Sequence, residues 1–107
     1  MNKLLAMSLL LASSLSYAFT GNELLDALNS KDPYMNGAAA GFINGYSMAK
    51  DEDLYCIPPK VTVGQVIGIV RKLLEEHPDK RHQEASAFVA VSLVNAFPCA
   101  KKEQWSG

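Results

Sequence analysis

Apolar side chains recur at intervals of three and four residues along most of the chain after residue 18, the spacing that places them on one face of an α-helix. The first predicted helix begins at Thr20, which forms a capping-box pattern with Glu23. The second begins at Asp32, a capping residue followed by a proline that suits the first helical position. The apolar positions of these two helices are Leu24, Leu25, Leu28, Ala39, Phe42, Ile43 and Tyr46.

The second half of the chain predicts two further helices. Thr62 and Gln65 form another capping-box pattern, and the helix that follows is expected to stop before Pro78. Asp79 is expected to cap a fourth helix that ends before Pro98 and contains an uncharged stretch over residues 85–97. Because surface helices keep a charged face, this helix is expected to lie in the core or under a partner chain. The fold class is all-α, a small four-helix bundle-like domain.

Three glycines recur at intervals of four residues within the second predicted helix. Gly37, Gly41 and Gly45 therefore form one stripe, although each costs about 1 kcal/mol of helix propensity relative to alanine. Such a stripe suggests that another backbone approaches the helix closely.

The two cysteines of the chain, Cys56 and Cys99, predict one disulfide. A short turn between the third and fourth helices makes these helices antiparallel, which brings the residues before one and after the other together. The alternative is a pair of unlinked buried thiols. A zinc site is a weaker alternative, because His77 and His82 provide no recognisable ligand spacing.

The first 18 residues have the layout of a secretory signal peptide. Lys3 precedes an apolar run that is too short to span a membrane, and Ser16 and Ala18 are the small residues that a signal peptidase requires. We predict a signal peptide over 1–18 and a helical domain over 19–107, exported to the periplasm of a Gram-negative bacterium without a membrane anchor. Cleavage removes one of ten basic residues and no acidic one, which changes the net charge from −1 to −2. A net negative chain is a poor partner for nucleic acid.

No set of residues suited to catalysis emerges from the sequence. His77 and His82 suggest partly exposed histidines near helix ends more strongly than a metal or acid–base site. The acidic run 51–53 lacks the glycine and the distal glutamate of a calcium-binding loop. We therefore expect a protein that is not an enzyme and that has no cofactor and no metal.

The stretch from Lys50 to Tyr55 is the clearest candidate for binding another protein. It combines three carboxylates with one aromatic side chain, a composition that suits a basic cleft on a partner. The predicted contact residues are Asp51, Glu52, Asp53 and Tyr55. A solvated loop without a partner is the alternative interpretation.

Several short motifs, in this order and spacing, resemble the Tai-type immunity proteins of type VI secretion, the type VI amidase immunity family. The motifs are Gly45-Tyr46, Cys56-Ile57-Pro58, Val61-Thr62-Val63-Gly64-Gln65, His77-Pro78, Arg81-His82 and Ala96-Phe97-Pro98-Cys99. The resemblance extends from residue 24 to residue 99. It implies a periplasmic helical protein, often a homodimer, which blocks a secreted peptidoglycan amidase by plugging its cleft.

The resemblance also makes statements about cysteines. Cys56 and Cys99 match the disulfide positions of the family. Relatives often have another cysteine pair in the first two helices, where this chain has Leu28 and Ala40. This difference indicates a divergent branch, and members of such a branch need not have a toxin as partner.

Three other functions remain open from the sequence. One is an acid-activated periplasmic chaperone, which is also small, helical and stapled by one disulfide, although the glycine-rich helix and the Cys-Ile-Pro loop do not fit that family. A second is a periplasmic housekeeping or adaptor protein. The third is a small hydrolase, which lacks support because no catalytic set can be assembled.

Overall fold

The computed structural model describes residues 19–100, which form four α-helices and one short 3₁₀ helix. The α-helices are α1 (Gly21–Asn29), α2 (Pro33–Lys50), α3 (Val63–Glu76) and α4 (Ala85–Ala96), and the 3₁₀ helix is Pro78–Lys80. The prediction of an all-α domain with four helices and one disulfide is confirmed. The predicted signal peptide, 1–18, and the tail, 101–107, lie outside the described residues.

The predicted starts of α1, α2 and α3 are confirmed by their capping hydrogen bonds. The Thr20 hydroxyl accepts a bond from the Glu23 N–H (3.2 Å), and the Glu23 carboxylate accepts the Thr20 N–H (3.0 Å). Thr62 and Gln65 repeat this exchange at the start of α3, at 3.1 and 2.8 Å. The Asp32 carboxylate accepts the backbone N–H two residues ahead at 3.0 Å. Each cap satisfies an N–H that the first helical turn leaves without a partner.

One apolar core joins the four helices. Each helix contributes residues from one face, and the loop after α2 contributes Tyr55. The core residues are Leu24, Leu25, Ala27, Ala39, Ile43, Tyr55, Val66, Val70, Leu74, Ala85, Phe88, Val89 and Leu93. Within residues 19–100, no helix is both long enough and apolar enough to cross a membrane.

Helix α4 is half buried, although it carries no charged residue. Phe88 and Leu93 face the core, whereas Val91 and Val94 are 49% and 40% exposed. The helix therefore lies partly in the core and partly on the surface, where it presents an apolar face. The sequence predicts that this helix lies in the core or under a partner chain, and the exposed face is the part that a partner chain would cover.

The prediction that Asp79 caps α4 is wrong. Asp79 lies within the 3₁₀ helix, and α4 begins at Ala85 without a side-chain cap. The N–H of Ala85 instead donates to the carbonyl oxygen of Phe19 at 2.7 Å. The segment before α1 pairs with the segment before α4 through this bond and through the bond from Gly21 N to Gln83 O (2.8 Å). A backbone group from a distant part of the chain thus replaces the cap.

The glycine stripe of α2 does not pack against another part of the described chain. Apart from the neighbouring residues and backbone of α2 itself, a Cβ placed on Gly37, Gly41 or Gly45 would meet no atom within 4 Å, and all three residues are exposed. The expected close approach of another backbone is therefore not met among residues 19–100. Gly21 is the opposite case, because a Cβ there would lie 2.7 Å from the Phe88 ring.

Helices α1 and α2, which carry Leu28 and Ala40, are held together by an asparagine. The Asn36 side-chain amide donates to the carbonyl oxygens of Ala27 (2.9 Å) and Ser30 (2.8 Å). These bonds add a partner to the Ala27 carbonyl oxygen, which also accepts the Ser30 N–H at 3.3 Å, and satisfy the carbonyl oxygen of the residue that caps α1. Asn36 thus links the two helices without a covalent bridge.

Candidate functional site

The acidic loop, which we define as residues 51–55, begins where α2 ends at Lys50 and closes on itself. The N–H groups of Asp53 and Leu54 donate to the Lys50 carbonyl oxygen at 3.1 and 3.0 Å. The N–H of Glu52 donates to the carbonyl oxygen of Tyr55 at 2.6 Å. Both ends of the loop are therefore held together, and its tip projects from the end of the helix.

Asp51 supports the loop from within. One carboxylate oxygen accepts the N–H of Glu52 at 3.1 Å and the N–H of Ile57 at 2.8 Å. The side chain is half buried. Asp51 therefore uses its charge to hold the backbone on both sides of the tip, and it offers less to a partner than the sequence alone indicates.

Tyr55 is fully buried, which corrects its prediction as a contact residue. Its ring belongs to the core, and its hydroxyl donates towards the carbonyl oxygens of Ser47 (3.0 Å) and Tyr46 (3.3 Å). Burial raises the pKa of Tyr55 to about 12, with smaller contributions from Tyr46 and Asp51. The physical reason for this placement is that the phenol satisfies carbonyl groups near the end of α2 while its ring fills the core.

The tip of the acidic loop presents two carboxylates and one apolar side chain. Glu52, Asp53 and Leu54 are exposed, and Leu54 keeps 45% of its surface in contact with solvent. Glu52 has a φ of 70°, in the left-handed region that side chains other than glycine seldom adopt. Holding such a conformation costs about 1 kcal/mol or more, and the surrounding bonds compensate for it. The sequence did not single out Leu54, because an isolated leucine in a polar run has no periodic signal.

The disulfide fixes the end of the acidic loop to the end of α4. Cys56 and Cys99 form the predicted disulfide, with a Cα–Cα distance of 4.8 Å. The N–H of Cys56 also donates to the carbonyl oxygen of Phe97 at 2.8 Å. The residue that follows Tyr55 is therefore held covalently and by a backbone bond. The loop is preorganised, so a partner would spend little free energy on ordering it.

The two histidines differ in exposure. His77 is half buried at the end of α3, whereas His82 is exposed in the segment before α4. In the part of the chain that the structure describes, no three His, Cys, Asp or Glu residues are grouped to hold a metal ion. The carboxylates of Asp51, Glu52 and Asp53 therefore do not form such a group either.

Comparison with sequence models of protein families identifies the family of the chain. Residues 20–99 match the sequence model of the Rap1a immunity proteins. The matched range includes all four helices and both cysteines. No curated protein matches the chain. The match confirms the expectation of an immunity protein family that the motifs between residues 24 and 99 raised.

Proposed function

Because the chain belongs to the Rap1a immunity protein family, we propose that it is a non-catalytic periplasmic protein that binds and inhibits a type VI secreted peptidoglycan amidase. The family match supports a role against a secreted effector. The resemblance of the Cys56-Ile57-Pro58 loop and the closing Phe97-Pro98-Cys99 motif to amidase immunity proteins favours an amidase as the target.

The single observation that carries this proposal is the preorganised tip of the acidic loop. Glu52, Asp53 and Leu54 project from a backbone held by Asp51, Tyr55 and the disulfide. A rigid tip with two negative charges and one apolar group suits insertion into an enzyme cleft with basic walls. Complementary charges would accelerate association, and exclusion of substrate from the cleft would inhibit the enzyme.

Export is the second part of the proposal. Cleavage after Ala18 would make Phe19 the first residue of the mature chain. Phe19 belongs to the fold, because its ring lies edge-on to the Phe42 ring at 5.7 Å and its carbonyl oxygen accepts the Ala85 N–H. Processing at this bond would keep these contacts, and the periplasm would allow the disulfide to form.

A homodimer is the third part of the proposal. Residues 33–49 carry no charge, and three of their large apolar side chains are exposed: Tyr34, Met35 and Met48. Apolar surface of this kind favours association. Sedimentation velocity of the oxidised mature domain across a hundredfold concentration range tests this part. A single monomeric species at all concentrations would contradict it.

The amidase proposal is tested by recovery of the partner. The oxidised mature domain is used as bait in periplasmic extract of the producing bacterium, and each recovered protein is purified and assayed for cleavage of peptidoglycan peptides. We expect an amidase that loses activity when the domain is added in equimolar amount. Recovery of partners without such an activity would contradict the amidase assignment.

The role of the acidic loop is tested on that pair. Replacing Glu52 and Asp53 with Gln and Asn is expected to weaken inhibition about tenfold, a loss of ~1.4 kcal/mol. The matched control replaces Glu75 and Glu76, an exposed acidic pair on α3, with Gln and is expected to inhibit like the wild type. Equal inhibition by both variants would remove the loop from the contact surface.

A further inference from the structure

A groove lies between the end of α3 and the length of α4, on a surface that the acidic loop does not include. Its volume is about 300 Å³, within the range of sites that take small ligands or side chains. The residues that line it are Leu73, His77, Lys80, Gln83, Ala87, Phe88, Val91 and Asn95.

One wall of the groove is a straight ridge of α4. Ala87, Val91 and Asn95 are four residues apart and thus lie on one face, over a length of about 12 Å. Phe88, which is 6% exposed, contributes an apolar surface beside this ridge. A length of 12 Å matches three to four residues of an extended peptide. The ridge therefore fits a short peptide segment with apolar side chains.

The polar groups of the groove lie towards its ends. Lys80 and Gln83 come from the segment before α4, next to His77 at the end of α3, whereas Asn95 belongs to the last turn of α4. Among the lining residues, Lys80 is the only lysine or arginine, and no carboxylate lines the groove. The complementary ligand is an apolar segment with a carboxylate at the Lys80 end and amide groups for Gln83 and Asn95.

The groove and the acidic loop approach the same end of the domain. Asn95 precedes Phe97 by two residues, and the Phe97 carbonyl oxygen binds the N–H of Cys56, the residue that follows the loop. A stable protein complex buries about 800 Å² and 20–30 residues on each side, which a loop tip of three exposed residues does not supply. A second contact surface at the same end of the molecule would supply the missing area.

We propose that this groove is a second docking site for the secreted effector, and that it takes a peptide segment of the effector with apolar side chains and one acidic side chain. The apolar side chains cover Phe88 and Val91, and the acidic side chain pairs with Lys80. This assignment rests on the proposed immunity function for the identity of the partner. The chemistry of the groove itself does not depend on that function.

Two valines of α4 provide a matched test. Val91 and Val94 have similar exposure, 49% and 40%, but only Val91 lines the groove. We expect Val91→Arg to weaken binding of the recovered amidase at least tenfold by calorimetry, and Val94→Arg to change it less than twofold. Lys80→Glu is also expected to weaken binding, whereas Lys72→Glu, an exposed charge on α3 outside the groove, is not. Circular dichroism and thermal unfolding establish that each variant is folded.

A peptide titration tests the groove without the effector. The probe is a capped four-residue peptide with one aspartate followed by three apolar residues, and its control has lysine in place of aspartate. We expect the aspartate peptide to shift the side-chain amide NMR signals of Gln83 and Asn95 in the wild-type domain, and Val91→Arg to abolish the shifts. Equal shifts with both peptides, or none with either, would overturn the proposed chemistry.

The outcomes separate this proposal from the proposed function. Inhibition of an amidase by both the wild type and Val91→Arg, at equal affinity, overturns the groove and leaves the immunity function standing. If no amidase is inhibited, the amidase assignment fails and the peptide titration decides the groove. If Val91→Arg instead converts a dimer into a monomer without changing effector affinity, the groove is an interface between two copies and the proposal is overturned.

Discussion

Replacing Gly37, Gly41 and Gly45 together with alanine is expected to stabilise the folded monomer. Each glycine lies in the interior of α2, where it costs about 0.5–1 kcal/mol relative to alanine. The added methyl groups meet no atom within 4 Å beyond the neighbouring residues and backbone of α2, so no packing penalty opposes this gain. Three such changes raise the free energy of unfolding by about 2 kcal/mol.

The measurement is urea unfolding of the oxidised mature domain, followed by far-ultraviolet circular dichroism at a concentration where the wild type is monomeric. For a domain of this size, 2 kcal/mol corresponds to a rise of about 10 °C in Tm and of about 1 M in the urea midpoint. Gly21→Ala is the matched control with the opposite sign. Its Cβ would lie 2.7 Å from the Phe88 ring and 3.1 Å from the Arg81 carbonyl oxygen, which predicts a loss of about 1–3 kcal/mol.

A midpoint of the triple variant at or below that of the wild type would refute this reasoning. A gain that is present in dilute solution but disappears as the protein concentration rises would show that a second copy packs on the stripe. In that case the three methyl groups interfere with an interface, and the glycines are retained for association rather than for the monomer.

Four further predictions concern the disulfide, the acidic loop and the amino terminus. Removing the disulfide with Cys56→Ala and Cys99→Ala is expected to cost about 4 kcal/mol, because the bond closes a loop with a sequence separation of 43, and urea unfolding should show no further loss on adding dithiothreitol. Tyr55→Phe is expected to lower the free energy of unfolding by about 1 kcal/mol at pH 7, because it removes the hydroxyl group that donates to two carbonyl oxygens of α2. The pKa of Tyr55 is about 12 in the folded state and 10 in the unfolded state, so the folded state keeps the phenol proton to a higher pH. Between pH 10 and pH 12 the free energy of unfolding of the wild type is therefore expected to fall by about 2–3 kcal/mol more than that of Tyr55→Phe. Parallel pH profiles of the two proteins would contradict this assignment. Intact mass spectrometry of the exported protein is expected to give the mass of residues 19–107, which begin at Phe19. A mass that corresponds to another first residue would contradict cleavage after Ala18.

The helix starts of α1, α2 and α3 were predictable because their caps are local. Thr20 and Glu23, like Thr62 and Gln65, lie three residues apart, so their hydrogen bonds require only the first turn of the helix itself. The end of α3 was predictable for a similar reason, because Pro78 excludes helical geometry in the residue before it. The disulfide followed from the cysteine count and from the order of the helices.

The candidate site was predicted only in outline. The run of three carboxylates marked the position of the acidic loop, but it did not distinguish Asp51, which supports the backbone, from Glu52 and Asp53, which face solvent. An aromatic residue in a polar run resembles a contact residue, whereas Tyr55 lies in the core. The composition of a run does not tell whether each side chain faces the core or solvent, because that orientation depends on the path of the loop backbone.

The sequence by itself determined the helical class, the helix starts and ends that depend on neighbouring residues, the cysteine pair and the position of the acidic run. Tertiary structure alone decided that α4 begins at Ala85, because the N–H that needs a partner finds the Phe19 carbonyl oxygen 66 positions earlier in the chain. It also decided that the stripe of glycines faces open space and that Val91 lines a groove while Val94 does not. The physical reason is range: caps and proline effects act within one helical turn, whereas burial and cross-chain hydrogen bonds depend on which segments the fold brings together.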